Sequence, residues 1–491
     1  MIYRPERGRM WDPSIFPYKG EYWMLAMHYD GENAPPTGMW LARSRDMVHW
    51  TGAGRVLDDL DGLFKMYASL LPDGRVLINY GSTSEGEPNA PNDLIKYRVS
   101  DDMFTWTPLY MNRPDAAWYR EDSRWDHMYV LRDGGNWYGY PVGTPRPEMS
   151  SCMGFQKSRD GIQWVPARPP RIEWGDIPPI DCLETGGVER IGDEYYYIGG
   201  YVGYAGSHTY NVYVFRGKSP EGPFCPDREA FRLCGADSVP GTVFVSNLGC
   251  FFRDGEDLLL SNAVSAPGGM EVWLLPVRRV IRDGEGHLRL GWWEGNRALM
   301  GREIVPQAPA LLRGEAAVSP ENDGFTLSMD RPDLPTVTDT LALAAIAPEP
   351  GEKGIVICGE MVCQSEPPYD EALHRTRLWR PARVGIGMGD TVIALDVGHS
   401  YRRKSYVLRA EWDRGPDVRI LDEIGGDCAS VKGMSAGETH SFRFLARRNM
   451  MEMYVDDLLV QTWSSPSGPV TLFAQNARCQ VRHMRAYRMD L

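Results

Sequence analysis

The chain has 491 residues, more than one hydrophobic core usually serves, so two domains are expected. Its formal charge of −13 argues against nucleic acid or an anionic membrane surface as a partner, because both reward basic patches. Nine Cys with no Cys-x-x-Cys pair disfavour a zinc site and a disulfide scaffold and favour a reducing compartment.

The chain opens with Met1-Ile2-Tyr3-Arg4-Pro5, which carries no apolar run of signal-peptide type, and no stretch of about 18 apolar residues follows. A cytoplasmic location is the expectation. Trp11-Asp12-Pro13-Ser14-Ile15 comes next, then the turn Tyr18-Lys19-Gly20 and an aromatic strand from Glu21. Pro13 has no backbone donor and belongs at a strand start, which holds Asp12 at the mouth of a sheet. By itself, Asp-Pro is an ordinary turn opener.

One phrase then recurs. Ser44-Arg45-Asp46-Met47-Val48-His49-Trp50 is followed by Ser100-Asp101-Asp102-Met103-Phe104-Thr105-Trp106 and by Ser158-Arg159-Asp160-Gly161-Ile162-Gln163-Trp164, with a worn copy at Lys218–Phe224. Five inner turns accompany these phrases, at Lys19-Gly20, Asp73-Gly74, Asp133-Gly134, Gly192-Asp193 and Asp254-Gly255. Helical periodicity is nearly absent, and short β-branched and aromatic runs alternate with Gly/Pro/Asp turns. Units of about 55–60 residues with four strands each fit the blades of a propeller. Five of them fill the N-terminal region, an open β-solenoid being the other way to use such a repeat. Beyond Met300 the repeat stops, and Val305-Pro306-Gln307-Ala308-Pro309 reads as a boundary. The strands after it have no blade period and suggest a sandwich. The expected fold is therefore all-β, a five-bladed β-propeller over 1–305 followed by a C-terminal β-sandwich over 306–491.

A propeller gathers the first strand of every blade around one axis, so equivalent positions converge. Asp12 holds that position in the first blade, Asp126 in the third and Glu184 in the fourth. Tyr67-Ala68-Ser69 takes it in the second, and Gly241-Thr242-Val243 in the fifth. Each acid alone reads as a solvated turn residue. Three in register repel one another and raise at least one pKa, which suits a pair of carboxylates working across a glycosidic bond. The 16 Trp and 24 Tyr fit sugar-binding surfaces and an aromatic β core equally well.

This pattern resembles glycoside hydrolase family 32, the β-fructofuranosidase, invertase, inulinase and levanase group. The family's Asn-Asp-Pro-Asn-Gly motif is similar to Trp11-Asp12-Pro13-Ser14-Ile15, its Arg-Asp-Pro motif to Arg124-Trp125-Asp126, and its Glu-Cys-Pro motif to Glu184-Thr185-Gly186. The resemblance implies cleavage of terminal fructofuranosyl linkages with retention of configuration. It makes Asp12 the nucleophile and Glu184 the acid/base, with Asp126 and Arg124 holding the sugar hydroxyls. Trp11, His28, Trp40, Tyr67, Ser69, Trp125 and His127 are the further candidate sugar contacts, each of them also readable as a packing residue. Glu121 and Asp122 are candidate rim acids or a solvated loop. The neighbours of all three acids depart from the family's motifs, so the sugar is less determined than the acids. The Asp12-Pro13-Ser14-Ile15 phrase is similar to the opening of family 43 arabinosidases and xylosidases as well, which implies inversion with Asp12 as general base. A non-catalytic sugar-binding propeller is the third reading. No phosphate loop, His-Glu-x-x-His pair or calcium loop is present, so no cofactor or metal is expected. The expected partner is a carbohydrate, and a homo-oligomer is left open.

Overall fold

The computed structural model describes residues 1–31, 36, 38–57, 64–83, 92–120, 122, 124–204, 209–236, 245–246, 248–265, 272–314, 316–328, 341–365, 382–398, 405–411, 419–426 and 433–491. Its sheets are built from antiparallel strand pairs, as the alternation of short apolar runs and turns predicts. The chain divides into two compact units. One comprises Ile2–Leu233 with Val245–Leu288, the other Met1, Cys234–Phe244 and Arg289–Leu491.

The first unit is a series of meanders. β1 (Arg9–Tyr18), β2 (Glu21–Tyr29), β3 (Gly38–Ser44) and β4 (Trp50–Leu57) pair in order. So do β5 (Met66–Leu70), β6 (Val76–Ser82), β7 (Leu94–Ser100) and β8 (Thr107–Asn112). A third sheet holds β9 (Trp125–Asp133), β10 (Asn136–Gly143), β11 (Gln156–Ser158) and β12 (Val165–Pro166), and a fourth holds β13 (Glu184–Ile191), β14 (Glu194–Val202), β15 (Tyr210–Gly217) and β16 (Phe224–Pro226). A fifth group follows, with Cys250–Asp254 paired to Asp257–Ser261 and Ala263–Ser265 paired to Val272–Leu274.

The first strands form a closed ring. β1 touches β5, β5 touches β9, β9 touches β13, β13 touches Cys250–Asp254, and that strand touches β1. Tyr3 bridges to Leu274 of the fifth group, with Ile2 N–H on Leu274 O at 2.9 Å and Leu274 N–H on Tyr3 O at 2.9 Å. Apolar side chains fill the space between neighbouring sheets. Leu25, Leu41 and Ile78 serve the first pair, Tyr97, Trp125 and Trp137 the second, and Tyr140, Phe155 and Tyr197 the third. Each such side chain, fully buried, contributes about 1.5–3 kcal/mol before entropy is counted.

The recurring phrase has a physical cause. In the first sheet, Ser44 Oγ accepts the N–H of Met47 at 2.9 Å, and Asp46 Oδ1 accepts those of Val48 at 2.9 Å and His49 at 2.8 Å. The Trp50 indole closes the turn on Met47 O at 2.9 Å. Ser100, Asp102 and Trp106 repeat the same bonds, as do Ser158, Asp160 and Trp164. Ser and Asp are there because their oxygens satisfy turn N–H groups that no strand reaches. In the worn copy, Ser219 Oγ accepts the N–H of Glu221, and Phe224, with no indole N–H, cannot make the closing bond.

The second unit contains two sheets. One runs through Ala310–Gly314, Leu341–Ala347, Val470–Gln475, Arg383–Met388, Thr391–Asp396, Ser405–Glu411 and Arg419–Gly426. The other is centred on Ile355–Ser365, between Thr439–Arg447 and the long strand Ala477–Met489. Strands of the two sheets touch, Arg383–Met388 lying against Met450–Val455 and Ala477–Met489. Leu341, Leu343, Val392, Leu408 and Phe473 cluster in the interior. No helix among the described residues is long and apolar enough to cross a membrane.

Candidate active site

Asp12 sits in a bulge of β1, where the pairing with β2 slips between Trp11 and Ser14. Its φ is +48°, a left-handed conformation that Asp and Asn tolerate better than other non-glycine residues. Pro13 cannot donate to the ladder, so the slip costs no hydrogen bond at that position. Just beyond, the Ser14 hydroxyl donates to Met66 O on β5 at 2.9 Å. A bulge of this kind re-aims one side chain out of the pleat, and the side chain here is a carboxylate.

Asp126 is the second residue of β9 and is 1% exposed. Its Oδ2 accepts from Asn92 Nδ2 at 2.8 Å and from Arg124 Nη2 at 3.1 Å, and its Oδ1 accepts the His127 N–H at 2.6 Å. Gly81 on β6 makes room for it, since a Cβ there would stand 1.9 Å from Asp126 Oδ1. Glu184 opens β13. It pairs with Arg124 Nη1 at 2.8 Å and accepts the Tyr210 hydroxyl at 2.8 Å. Arg124 therefore bridges Asp126 and Glu184, which belong to different sheets.

The electrostatics separate the three acids. Burial raises Asp12 to a pKa of about 6. Lys65, His127 and Arg124 oppose that rise, and the Glu184 charge adds to it. For Glu184, burial would raise the pKa, but Arg124 and the Tyr210 hydrogen bond overcome it and hold the group below the ordinary value. Asp126 is buried too, yet His127, Arg124 and the backbone N–H hold it far below the usual carboxylate range. Burial and the neighbouring Glu184 charge thus make Asp12 the easier of the two to protonate, while Arg124 holds Glu184 ionised.

The other expected contacts divide into two groups. His127 is 1% exposed, and neither ring nitrogen makes a hydrogen bond. Its Nδ1 lies 3.3 Å from Asp126 Oδ1 but out of alignment. A buried ring in that state marks a place for a ligand or ordered water. Trp11 is partly exposed beside Asp12, with the Arg9 guanidinium over its ring at 5.4 Å. Trp125, expected to meet sugar, is fully buried among the side chains between the second and third sheets, with its indole on Asn112 Oδ1 at 3.2 Å. Strand alternation explains this, since Asp126 turns to one face of β9, as does Arg124 just before the strand, and Trp125 takes the other. His28 and Trp40 stack on each other at 5.1 Å, and their hydrogen bonds run to Arg7 O and the Tyr3 hydroxyl. Tyr67 spends its hydroxyl on Thr185 O and Gly186 O at 3.2 and 3.1 Å, tying β5 to β13. Ser69 lines a cavity of about 310 Å³ with Ser14, Tyr129, Glu189 and Arg253. Asp122 pairs with Arg120 at 2.6 Å on the surface. Glu121 and Gly241-Thr242-Val243 lie outside the described residues.

Reading the sequence missed Tyr210, Lys65 and Asn92. Tyr210 reaches Glu184 across Gly200, where a Cβ would stand 1.8 Å from its hydroxyl; the Gly199-Gly200 pair inside an aromatic strand is the available signal. Lys65 is 1% exposed and donates to Cys250 Sγ at 2.6 Å. A lysine in the run Phe64-Lys65-Met66-Tyr67 is unusual enough to notice, because buried Lys is rare.

No protein-family model matches the chain, and no curated protein matches it in sequence. Solved structures do share its fold. A Bombyx mori GH32 beta-fructofuranosidase, solved in complex with sucrose, is 13% identical and superposes with a TM-score of 0.64 over 99% of this chain and 92% of that one. Sucrose-6-phosphate hydrolase from Lactobacillus gasseri is 14% identical, with a TM-score of 0.65 over 99% and 92%. Fructan 1-exohydrolase IIa from Cichorium intybus is 14% identical, with a TM-score of 0.64 over 99% and 96%. At that identity the likeness establishes a common fold.

Proposed function

We propose that the chain is a divergent glycoside hydrolase of the family 32 type, a five-bladed β-propeller followed by a β-sandwich, which cleaves terminal fructofuranosyl linkages. The closed ring of five first strands supports the blade count, and the likeness to fructosidases over nearly the whole chain supports the class. The observation that carries the reading is the gathering of Asp12, Asp126 and Glu184, one from each of three sheets, with Arg124 bridging Asp126 and Glu184 and the Glu184 charge acting on Asp12.

In this reading Asp12 attacks the anomeric carbon, and Glu184 protonates the leaving oxygen before activating water. Asp126 stays ionised and accepts sugar hydroxyls, with Arg124 and His127 at its side. Glu184, held ionised by Arg124 in the free site, has to gain a proton before the leaving oxygen can be protonated. Sugar hydroxyls that draw Arg124 away from Glu184 would raise the acid's pKa toward that state. A second reading takes support from the pKa of about 6 on Asp12, because a general base works best near the ambient pH. Asp12 would then activate water and the outcome would be inversion, as in the arabinosidase-like alternative.

A substrate panel of sucrose, inulin, levan, fructose disaccharides and aryl arabinosides and xylosides tests the class. Fructose release that falls by about 10²–10⁴-fold in Glu184→Gln and at least as far in Asp12→Asn is the expected result. NMR of the first-formed anomer separates retention from inversion. Sugar binding without turnover of any panel member would instead make the site a lectin.

A further inference from the structure

A second constellation lies apart from the three acids, where the segment after β16 meets the turn Asp283–His287, which follows Arg278–Arg282, a strand paired to Asp257–Ser261 of the fifth group. The turn is pinned by Asp283 Oδ1, which accepts the N–H of Glu285 at 3.0 Å and of His287 at 2.8 Å, and by the Tyr196 hydroxyl on Gly286 O at 2.7 Å. His287 is 7% exposed, and its Nδ1 lies 2.8 and 2.9 Å from the two oxygens of Asp227, itself 4% exposed. A carboxylate accepts only, so Nδ1 carries the proton and the lone pair of the neutral ring is on Nε2.

That nitrogen makes no hydrogen bond. Its neighbours are Glu229 Oε2 at 3.7 Å and Glu285 Oε2 at 4.0 Å. Ligand atoms bonded at ~2.0–2.1 Å around a tetrahedral ion stand roughly 3.3 Å from one another. Here all three ligand atoms lie within 4.8 Å of each other, so small rotations of two glutamates complete the shell. Asp227 supplies the carboxylate that orients a metal-ligating histidine from behind. Arg216 Nη1, 3.9 Å from Asp227 Oδ2, offsets part of its charge.

We infer that His287, Glu229 and Glu285 bind one divalent transition cation of the zinc class, with Asp227 positioning the imidazole and water filling the open place. One imidazole and two carboxylates form a mixed N/O set that suits zinc better than calcium or magnesium. The ion would clip the fourth sheet to the fifth group and so stabilise the ring, and it shares no residue with the acid site.

Zinc titration of the full chelator-treated chain, in competition with a chromophoric chelator and followed by melting curves, tests this. One equivalent should bind, the melting temperature should rise with zinc, and both effects should disappear in His287→Ala. Asp227→Asn should weaken binding by about 10–100-fold. Glu229→Gln with Glu285→Gln, two exposed substitutions, replaces His287→Ala if that variant does not fold. Failure to bind stoichiometric zinc, or binding and melting unchanged in these variants, overturns the site. Neither outcome bears on sugar cleavage.

Discussion

Arg124 is where the chemistry of the acid site is decided at the scale of single residues. Its guanidinium holds Asp126 with one nitrogen and Glu184 with another, so two carboxylates of different sheets are kept charged by one cation. It also lowers Asp12. Replacing it by Gln should therefore raise the pKa of both Glu184 and Asp12, and both limbs of the kcat/KM profile should move to higher pH. An unmoved profile would remove Arg124 from this role. Asp12 gives the complementary prediction. Its folded pKa of about 6 lies above the ordinary value of 3.8, so the folded state binds more protons between those values and stability falls as pH rises through them. The penalty is complete above about pH 6 and absent below about pH 4. Asp12→Asn, which keeps the left-handed backbone accessible, should gain about 1–3 kcal/mol near pH 7 and nothing near pH 3. Denaturant melts at the two pH values measure it.

At the scale of elements, two strand features of similar size should fail differently. Gly81 of β6 lies against Asp126, and an added Cβ would stand 1.9 Å from the Oδ1 atom. Gly81→Ala must displace the Asp126 carboxyl from Asn92 and Arg124, so activity should drop at least tenfold while most of the stability remains. Ser100 ends β7, the next strand of the same sheet, and holds the N–H groups of Asp102 and Met103. Ser100→Ala should cost about 1–2 kcal/mol and leave kcat and KM unchanged. Assays and melting curves on the two variants separate a positioning glycine from a turn device. The Ser-x-Asp phrase was the most legible feature of the chain because its hydrogen bonds are local, closing within six residues. Gly81 carried no such signal, since its reason for being glycine is a carboxylate 45 positions away.

For the molecule as a whole, the closing segment is the part to test. Tyr3 bridges to Leu274 through its backbone, accepts the Trp40 indole N–H at 2.9 Å and lies 6.4 Å from the Trp50 ring. One residue thus fastens the fifth group to the first sheet. Tyr3→Ala should cost on the order of 2 kcal/mol, seen as a lower melting temperature with the substrate profile intact. A shift confined to activity would mean that the segment serves the site and not the ring.

Sequence alone determined the all-β character, the repeat and the register that aligned Asp12, Asp126 and Glu184, because strand alternation and turn chemistry are local properties of neighbouring residues. It could not assign the face taken by Trp125, which a single step of the strand sent into the packing between sheets. Nor could it foresee Tyr210 reaching Glu184 over Gly200, Lys65 beside Asp12, or the stacking of His28 on Trp40. Those depend on which side chains meet from different strands, and only the closed ring of sheets brings them together. The charges follow the same division. Acids can be counted along the chain, but only the fold sets Arg124 against Glu184, which lowers that acid, and buries Asp12, which raises the other.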